Sequence, residues 1–308
     1  LERSCARHTG KHMNKDSILF ITKNTSSHAG LGRYSDKVIT HTKECVQHVS
    51  VLSEETGLST THTIFSLLQN CMRARRMAKN VHIVHALDVW PYGVFARVAV
   101  WSTSKKLFLG GIGTYSIPPV KKSLKRWLFA WVYRRAEAVF CISRYTAKRI
   151  QERLPFTICA PVVHLGTSML PQPAFDVRTK FSIPEKAFPI CTTVGEVKER
   201  KGQKDTLLGL AKLKKEYPNF LYCIVGGQND VAYIESMEHI IKKHDLSDNV
   251  RFIANAHSDE DLAGLYSIST IHLLNSNNDH DHFEGFGLVF LEANQFGVPG
   301  IGSKNTGI

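Results

Sequence analysis

Residues 283–293 read FEGFGLVFLEA, in which Glu284 and Glu292 are separated by seven residues and frame two glycines. The glycines precede an apolar stretch that predicts a helix over 287–296. The first backbone N–H groups of such a helix lack partners inside it and favour an anion such as a diphosphate. Glu292 would lie about two turns along, at ~1.5 Å per residue, where a carboxylate can accept hydrogen bonds from a ribose diol. Glu284 would then face the reacting end of that ligand. The alternative is an amphipathic helix that exposes Glu292.

Outward from this stretch, short apolar runs alternate with stretches of helical spacing. The runs do not alternate with polar residues, which is typical of strands in a parallel sheet covered by helices on both faces. In the N-terminal half the predicted strands are 18–21, 49–52, 81–86, 107–112, 138–142 and 157–163, and helices begin near 34, 60, 91, 121 and 143. In the C-terminal half the predicted strands are 190–195, 220–226, 250–254, 270–274 and 298–302, and the helices are 202–216, 231–244, 259–267 and 287–296. Residues 258–261 resemble a capping box.

The alternation predicts two α/β domains, 13–168 and 189–308. Between them, residues 169–188 contain prolines among polar residues, and we expect this stretch to be the linker. Residues 1–12 are polar and aperiodic, so we expect them to be upstream sequence outside the fold. No helix follows 298–302 in the sequence, so we expect the C-terminal domain to be incomplete.

Composition is that of a globular protein: of 308 residues, 43% are hydrophobic and 21% charged, which excludes a disordered or low-complexity chain. Lys and Arg number 39 against 27 Asp and Glu, and the formal net charge of +12 favours anionic partners such as nucleic acid, phosphorylated small molecules or an acidic membrane surface. No apolar run approaches the ~18 residues of a membrane-spanning helix. The seven cysteines form no C-x-x-C pair, and several stand in apolar runs, so we expect buried, reduced thiols rather than a zinc site or disulfides.

Two other loops follow predicted strands and carry groups suited to phosphate. Gly30 and Gly32 let the backbone approach a ligand at a helix N-terminus, although a tight strand–helix turn would need the same residues. Residues 195–202, GEVKERKG, place Arg200 and Lys201 at the mouth of a strand–helix turn, where both cations can hold phosphate oxygens. The alternative for this loop is a solvated charged segment.

With these segments the chain resembles the GT-B retaining glycosyltransferases of the group 1 type, also called glycosyltransferase family 4. The resemblance runs from residue 17 to 308. Its most specific part is the glutamate stretch, and it includes GLGRYS, VHALDVWPYG, GTYSIPP, CISRYTAKRI, VVHLGTS, VGEVKERKG, IVGG and VRFIANAHSDEDLAGLY. It implies two Rossmann-like domains with parallel sheets facing a cleft, the first on the acceptor side and the second binding a nucleotide sugar. It also implies no metal and no other cofactor, because Lys, Arg and helix dipoles offset the diphosphate charge.

The resemblance further implies which residues form the site. Glu284 and Lys201 would be the catalytic residues, with Lys201 on the diphosphate beside Arg200 and Glu284 on the donor sugar. Glu292 would bind the ribose. The other donor-binding groups would be the backbone of Gly285, Phe286, Gly287 and Leu288, of Gly30 and Gly32 from the opposite domain, and of Gly226 and Gly227 near the nucleotide.

Three positions depart from the family's pattern. Glu196 stands where an Arg is common, Ile112 where many members have a His near the reacting sugar, and Ser168 where an Asp is common. Glu196 reverses a charge beside the expected diphosphate, which Lys198 can compensate. The departures leave open an inactive nucleotide-sugar-binding remnant. A sugar-nucleotide epimerase of the same fold is a second alternative, against which the paired glutamates argue.

The predicted helix over 121–136 mixes basic residues with bulky aromatics, a composition suited to the surface of an anionic bilayer. The alternative is a helix that packs Leu124, Leu128 and Trp131 on the sheet and keeps its basic face in water. A His-x-His pair at 280–282 has zinc-ligand chemistry, but 15 histidines make chance pairs frequent, and we predict no metal site. The sequence contains no recognised nucleic-acid module, so we expect no nucleic-acid partner.

We therefore predict an enzyme that moves a sugar from a nucleoside-diphosphate sugar to a hydroxyl of a glycan or lipid-linked glycan, with retention of anomeric configuration. By resemblance, the hydroxyl attacks on the face from which the diphosphate leaves, and a leaving phosphate oxygen takes its proton. Glu284 is then not a nucleophile, and the protein contributes positioning and charge stabilisation. We expect the enzyme in the cytoplasm, peripheral on the inner face of the plasma membrane.

Overall fold

The computed structural model describes residues 14–25, 30–60, 63–121, 123–256, 258–278 and 282–308. The chain divides into two compact units, Leu1–Val163 and His164–Ile308. Each unit contains a five-stranded sheet whose neighbouring strands run parallel. The predicted pair of Rossmann-like α/β domains is therefore confirmed.

In the first unit, strands and helices alternate along the chain. The elements are β1 (Asn14–Ile21), α1 (Gly30–Cys45), β2 (Val46–Leu52), α2 (Ile64–Met77), β3 (Ile83–Ala86), α3 (Tyr92–Ala99), β4 (Lys106–Gly111), α4 (Leu124–Tyr133), β5 (Ala138–Cys141) and α5 (Arg144–Arg153). The strand order is β2-β1-β3-β4-β5, so the direction of chain progression reverses between β1 and β3. Leu19, Ile21 and Val84 are fully buried, as expected of strands covered on both faces.

The second unit repeats this architecture. Its elements are α6 (Val177–Lys180), β6 (Ile190–Val194), α7 (Gln203–Ala211), β7 (Leu221–Val225), α8 (Val231–Lys243), β8 (Val250–Ile253), α9 (Asp259–Ser267), β9 (Ile271–Leu274), α10 (Leu288–Asn294) and β10 (Gly300–Gly302). The strand order is β10-β9-β6-β7-β8, which reverses between β6 and β9. Every residue of β6 and β7 is buried, so these two strands form the centre of the core.

Hydroxyl side chains fix where several helices begin. Thr63 accepts a hydrogen bond from a backbone N–H of the first turn of α2, and Ser143 does the same for α5. At α9, Ser258 and Asp261 exchange side-chain and backbone bonds, which confirms the predicted capping box. Such caps satisfy N–H groups that the helix cannot and contribute about 1 kcal/mol each.

The prediction of a strand over 157–163 is wrong. Within this stretch Val162 alone forms a bridge, with Cys141 of β5. The Cys141 N–H donates to the carbonyl of Pro161, so the segment does run beside β5. A regular ladder would need residue 161 to donate to Val139, and Pro161 has no N–H to give.

Residues 169–188, predicted as a linker, contribute five buried apolar side chains to the core of the second unit: Leu170, Val177, Phe181, Ile183 and Ala187. They surround the short helix α6, which Asp176 caps. The prolines around it prevent longer regular structure but not burial.

Helix α4 is shorter than its predicted span and packs by a different face. Phe129, Val132 and Tyr133 are buried, whereas Leu124 and Trp127 are exposed. The proposed packing face of Leu124, Leu128 and Trp131 is therefore not the one that faces the core. Among the helices of the described residues, none is long and apolar enough to cross a membrane.

The six cysteines that the structure describes are free thiols. Cys141, Cys191 and Cys223 are buried, and burial raises the pKa of Cys141 to about 12 and that of Cys191 to about 11. Cys45 and Cys159 are exposed, so burial is not shared by all six.

Candidate functional site

The site of the second unit lies at the carboxyl edge of its sheet, where the strand order reverses. The loops after β6 and β9 leave neighbouring strands at this reversal point, which is the place where open α/β sheets bind ligands. The loop after β6 carries Arg200 and Lys201 in a 3-10 turn, and the loop after β9 carries Ser276 and Glu284. The predicted cations and the predicted carboxylate therefore meet at this edge.

Lys201 and Arg200 bind the same oxygen of Glu284. Lys201 Nζ lies 2.6 Å from Glu284 Oε2, and an Arg200 guanidinium nitrogen lies 3.4 Å from it. Ser276 Oγ lies 3.4 Å from that oxygen as well. All three charged side chains are mostly buried, and two cations against one carboxylate leave the cluster with one surplus positive charge.

Burial by itself raises the pKa of Glu284, because it penalises the charged form. The charges and hydrogen bonds of Lys201 and Arg200 outweigh that effect and hold the pKa of Glu284 below its ordinary value of 4.5. Glu284 is therefore ionised at neutral pH, and the two cations are held side by side in a partly desolvated place.

Close backbone contacts hold the two loops together. Gly202, at the start of α7, has φ +68° and lies so close to the carbonyl of Asn275 that a Cβ there would overlap it. The Asn277 N–H donates to the carbonyl of Arg200 at 2.8 Å. Gly226, after β7, also lies too close to the carbonyl of Gly195 for a Cβ to fit. The backbone thus fixes the positions from which Lys201 and Glu284 reach each other.

The glutamate stretch continues from Glu284 into α10. Gly287 has φ +77° and is the residue before the helix, so the left-handed turn there requires glycine. The helix spans only Leu288–Asn294, which places Glu292 just over one turn along it rather than the two turns expected. The Phe286 ring lies against His164, with ring centroids 5.9 Å apart.

Glu292 is buried, and Tyr266 Oη donates to its Oε2 at 3.3 Å. The alternative of an exposed Glu292 on an amphipathic helix is therefore wrong. A buried carboxylate that already accepts one oriented hydroxyl has the chemistry to accept others, such as those of a diol.

Lys198 pairs with the carboxylate of Glu196, the residue whose charge departs from the family's pattern. The Lys198 ammonium offsets the negative charge of Glu196 locally, and both side chains are solvent-accessible. Metal-binding groups of three or more His, Cys, Asp or Glu do not occur within the described part of the chain. His280, named above with His282, lies outside the described residues.

In the first unit, Gly30 and Gly32 belong to the first turn of α1, which begins at Gly30 and not near residue 34 as predicted. They follow β1, one of the two strands at the reversal point of that sheet. The structure thus places them in a helix start rather than in a free loop. They lie in a different unit from Lys201 and Glu284.

Asp88 is a buried carboxylate that sequence reasoning missed. It follows β3, the other strand at the reversal point, and accepts hydrogen bonds from Ser116 Oγ at 2.8 Å and from the Val89 N–H at 2.7 Å. Ser116 Oγ also accepts from the Ile112 N–H at 3.1 Å. Burial raises the pKa of Asp88 to about 7 against the lowering effect of these bonds. The sequence does contain one sign of this site, because Asp88 is the single acidic residue in the apolar segment that follows the predicted strand 81–86.

Two Rossmann-like domains with parallel sheets define the structural class, and solved glycosyltransferases of the GT-B fold share it. A glycosyltransferase from Rickettsia africae superposes with a TM-score of 0.68 at 16% identity, covering 96% of this chain and 81% of that one. Anabaena Alr3699/HepE, solved in complex with UDP and glucose, gives 0.68 at 15% identity, covering 95% and 82%. At these identities the likeness shows the fold alone.

Sequence comparison supports a more particular relationship. Residues 176–308 match the family model described as "Glycosyl transferases group 1". A GDP-mannose-dependent alpha-(1-6)-phosphatidylinositol monomannoside mannosyltransferase of Mycolicibacterium smegmatis is 23% identical over 205 residues, covering 64% of this chain and 50% of the relative. The chain thus spans about half the length of the curated relatives it matches. These matches support the group 1 glycosyltransferase family.

Proposed function

We propose that this chain is a group 1 glycosyltransferase that moves a sugar from a nucleoside-diphosphate sugar to a hydroxyl, with retention of configuration. The observation that carries the proposal is the cluster of Lys201, Arg200 and Glu284 at the reversal point of the second sheet, where Lys201 Nζ lies 2.6 Å from Glu284 Oε2. It combines a surplus positive charge with a fixed carboxylate in the place where such sheets bind nucleotides.

In this proposal Lys201 and Arg200 turn from Glu284 to the diphosphate, whose charge grows on the leaving oxygen as the sugar bond breaks. Preorganised cations stabilise that developing charge without a metal ion, and they do so more strongly in a partly desolvated site. Glu284 then accepts hydrogen bonds from the sugar hydroxyls and orients the ring. The backbone from Gly285 to Leu288 lies beside it and completes the donor site.

The acceptor hydroxyl attacks on the face from which the diphosphate departs, and a diphosphate oxygen takes its proton. No side chain of the cluster forms a covalent bond to the sugar. Glu292 binds the ribose, and the hydrogen bond from Tyr266 holds its carboxylate in one orientation. Gly30 and Gly32 contribute backbone groups to the donor, as the resemblance implies.

Two relatives support the ligand classes. Anabaena HepE was solved with UDP and glucose, and the mycolicibacterial relative is named for GDP-mannose and a phosphatidylinositol mannoside. We propose a nucleoside-diphosphate sugar as donor and a glycan or lipid-linked glycan as acceptor. We place the enzyme in the cytoplasm, at the membrane where such acceptors reside.

The test begins with nucleotide binding to the purified chain. UDP, GDP, ADP and dTDP are added separately, and the melting temperature is followed, because a ligand that binds only the folded state stabilises it by ~2.7 kcal/mol at 100 times its dissociation constant. The protein is then incubated with nucleoside-diphosphate sugars of the base that stabilises it and with polyprenyl-phosphate or oligosaccharide acceptors. The anomeric configuration of the product is determined by NMR.

Stabilisation by one nucleoside diphosphate that is smaller in Lys201→Met but unchanged in Lys198→Met would support the site. Product with the donor's own anomeric configuration would support retention. Binding without transfer to any acceptor would favour the inactive remnant. Isomerisation of the donor sugar without acceptor would favour the epimerase.

A further inference from the structure

Helix α2 of the first unit buries small and polar side chains and exposes large apolar ones. Its buried positions hold Ser66, Asn70 and Ala74, two of which are polar. Asn70 is tied to the backbone of Ser59 by hydrogen bonds of 3.0 and 3.2 Å, so its burial is satisfied. When a helix packs polar and small residues against its own domain, its apolar residues remain free to contact another partner.

Those apolar residues form a stripe on the exposed side of α2. Ile64 is 80% exposed, Phe65 70%, Leu68 57% and Met72 59%. Three of them recur at intervals of four, so they lie along one face of the helix. Single exposed apolar residues are ordinary, but four large ones along one helix face mark a contact surface.

Tryptophans extend this surface across the neighbouring helices. Arg75 of α2 donates to the carbonyl of Trp101, at 3.1 Å, just beyond α3. Trp101 lies against Trp131 of α4, with centroids 5.6 Å apart, and Trp131 stacks on Trp127, at 6.3 Å. Trp101 and Trp127 are both more than half exposed. Arg97 lies over the Trp131 ring at 4.4 Å and joins the series.

The charge around this surface has one sign. Between Glu55 and Glu137 the sequence contains 13 Lys and Arg and a single acidic residue, Asp88, which is buried. The stretch includes α2, α3 and α4, and α3 packs against both of the other helices. The exposed stripe and tryptophans are therefore bordered by cations without exposed carboxylates from this stretch.

We propose that the face formed by α2, Trp101 and α4 docks on an anionic lipid bilayer. Apolar side chains would enter the boundary between headgroups and acyl chains, tryptophans would lie at the headgroup level, and Lys and Arg would bind lipid phosphates. A second protein with an acidic surface would satisfy the cations but not the row of exposed apolar residues. The proposal does not depend on the transfer reaction, and it moves the docking surface predicted for residues 121–136 to include α2.

The experiment is co-sedimentation of the whole chain with vesicles. One set is phosphatidylcholine alone, and the other contains about 30% phosphatidylglycerol, with salt raised from about 50 to about 500 mM to screen surface charge. We expect binding only to the anionic vesicles, reduced about tenfold or more by the added salt. We also expect a blue shift of tryptophan emission on binding.

Two variants separate insertion from adsorption. Replacing Arg76, Lys79, Lys121 and Lys125 by Ser removes four cations, and we expect the partition coefficient to fall about 100-fold. Replacing Phe65, Leu68 and Trp127 by Ser keeps every charge, and we expect a fall of at least tenfold because inserted area is lost. The charge control replaces Lys212, Lys215, Lys242 and Lys243 of the second unit, all exposed, and should bind like the parent.

All the altered side chains lie at the surface, and circular dichroism and melting curves confirm that each variant folds. Equal loss in the control variant would overturn the docking face, because net charge alone would then explain binding. An unchanged partition coefficient after loss of Phe65, Leu68 and Trp127 would also overturn it. So would a dimer in gel filtration that the same three substitutions dissociate, since a second copy would then cover the stripe.

Discussion

Lys201 and Glu284 lie 83 positions apart in the sequence, yet their side chains form an ion pair of 2.6 Å in the second unit. The pair exists because β6 and β9 are neighbours in the sheet although five helices and strands, α7 to α9, separate them along the chain. The strand order of the sheet therefore determines where Lys201 and Glu284 meet and where the charge is concentrated.

Loss of the Lys201 ammonium should impair turnover more than donor binding. Its contact with the leaving diphosphate strengthens as charge develops, so we expect Lys201→Ala to lower kcat about 100-fold or more, the scale of one preorganised electrostatic contact. Lys198→Ala is the control, because Lys198 pairs with Glu196 instead of Glu284. Steady-state kinetics with saturating donor make the comparison. A near-parental kcat would transfer the diphosphate role to Arg200.

Removal of the Glu292 carboxylate should weaken nucleotide binding. A charged hydrogen bond is worth roughly 1.5–3 kcal/mol, so Glu292→Ala should raise the dissociation constant about 10- to 100-fold in calorimetric titration. Tyr266→Phe removes the hydroxyl that orients Glu292 but no ligand group. We expect it to cost only a few-fold. Equal donor affinity in Glu292→Ala and the parent would end the ribose assignment.

Asp88 should make the first unit less stable as pH rises. Its folded-state pKa of about 7 lies above its ordinary 3.8, so the folded state binds more protons and stability falls between those values. Asp88→Asn keeps acceptors for Ser116 and Val89 but cannot ionise. Between pH 4 and pH 8, we expect the free energy of unfolding of Asp88→Asn to increase relative to that of the parent by on the order of 4 kcal/mol, at ~1.36 kcal/mol per pKa unit.

Denaturant unfolding at several pH values measures this difference. Asp248→Asn, at an exposed position, is the control and should show no comparable trend. An Asp88→Asn variant whose stability parallels the parent at every pH would mean that Asp88 stays ionised in the folded protein.

Gly202→Ala should destabilise the second unit. The new Cβ would overlap the carbonyl of Asn275 and also strain a backbone at φ +68°. Gly209→Ala, within α7, meets no atom within 4 Å and should stabilise the helix by roughly 0.5–1 kcal/mol. Opposite shifts of the melting temperature for these two substitutions are expected. If both raise it, the loops after β6 and β9 are not in contact in solution.

Local patterns in the sequence were enough to predict most of the fold. Apolar runs predict nearly every strand, because a strand buried on both faces is apolar along its whole length whichever strand it pairs with. The capping residues Ser258 and Asp261 predict where α9 begins. The failure at 157–163 came from Pro161, whose missing N–H matters only once the neighbouring strand is known. The helical spacing of the apolar residues at 64, 67, 68, 71 and 72 predicts helix α2, but periodicity does not say which face of the helix is buried.

The candidate site was predictable in its residues but not in its contacts. Lys201 and Glu284 each stand in a short motif, whereas their ion pair requires the strand order. Ser276 stands in none of the quoted segments, and Tyr266 ends one of them without any local sign of its partner. Their contacts with Glu284 and Glu292 follow only from tertiary packing. Asp88 and Ser116 stand in two different quoted segments, and their hydrogen bond likewise depends on the order of the strands that they follow.

Gly202, Gly226 and Gly307 approach neighbouring carbonyls so closely that no side chain fits at any of them. Gly307 lies beside the backbone of Glu284 and Gly285, and Gly202 and Gly226 lie beside the two loops after β6 and β9. In a library of all single substitutions, these three positions would therefore be intolerant although none contributes a side chain to chemistry. Invariance at this edge of the sheet would record the closeness of one main chain to another, and a search for functional residues by mutational tolerance alone would mistake that geometry for catalysis.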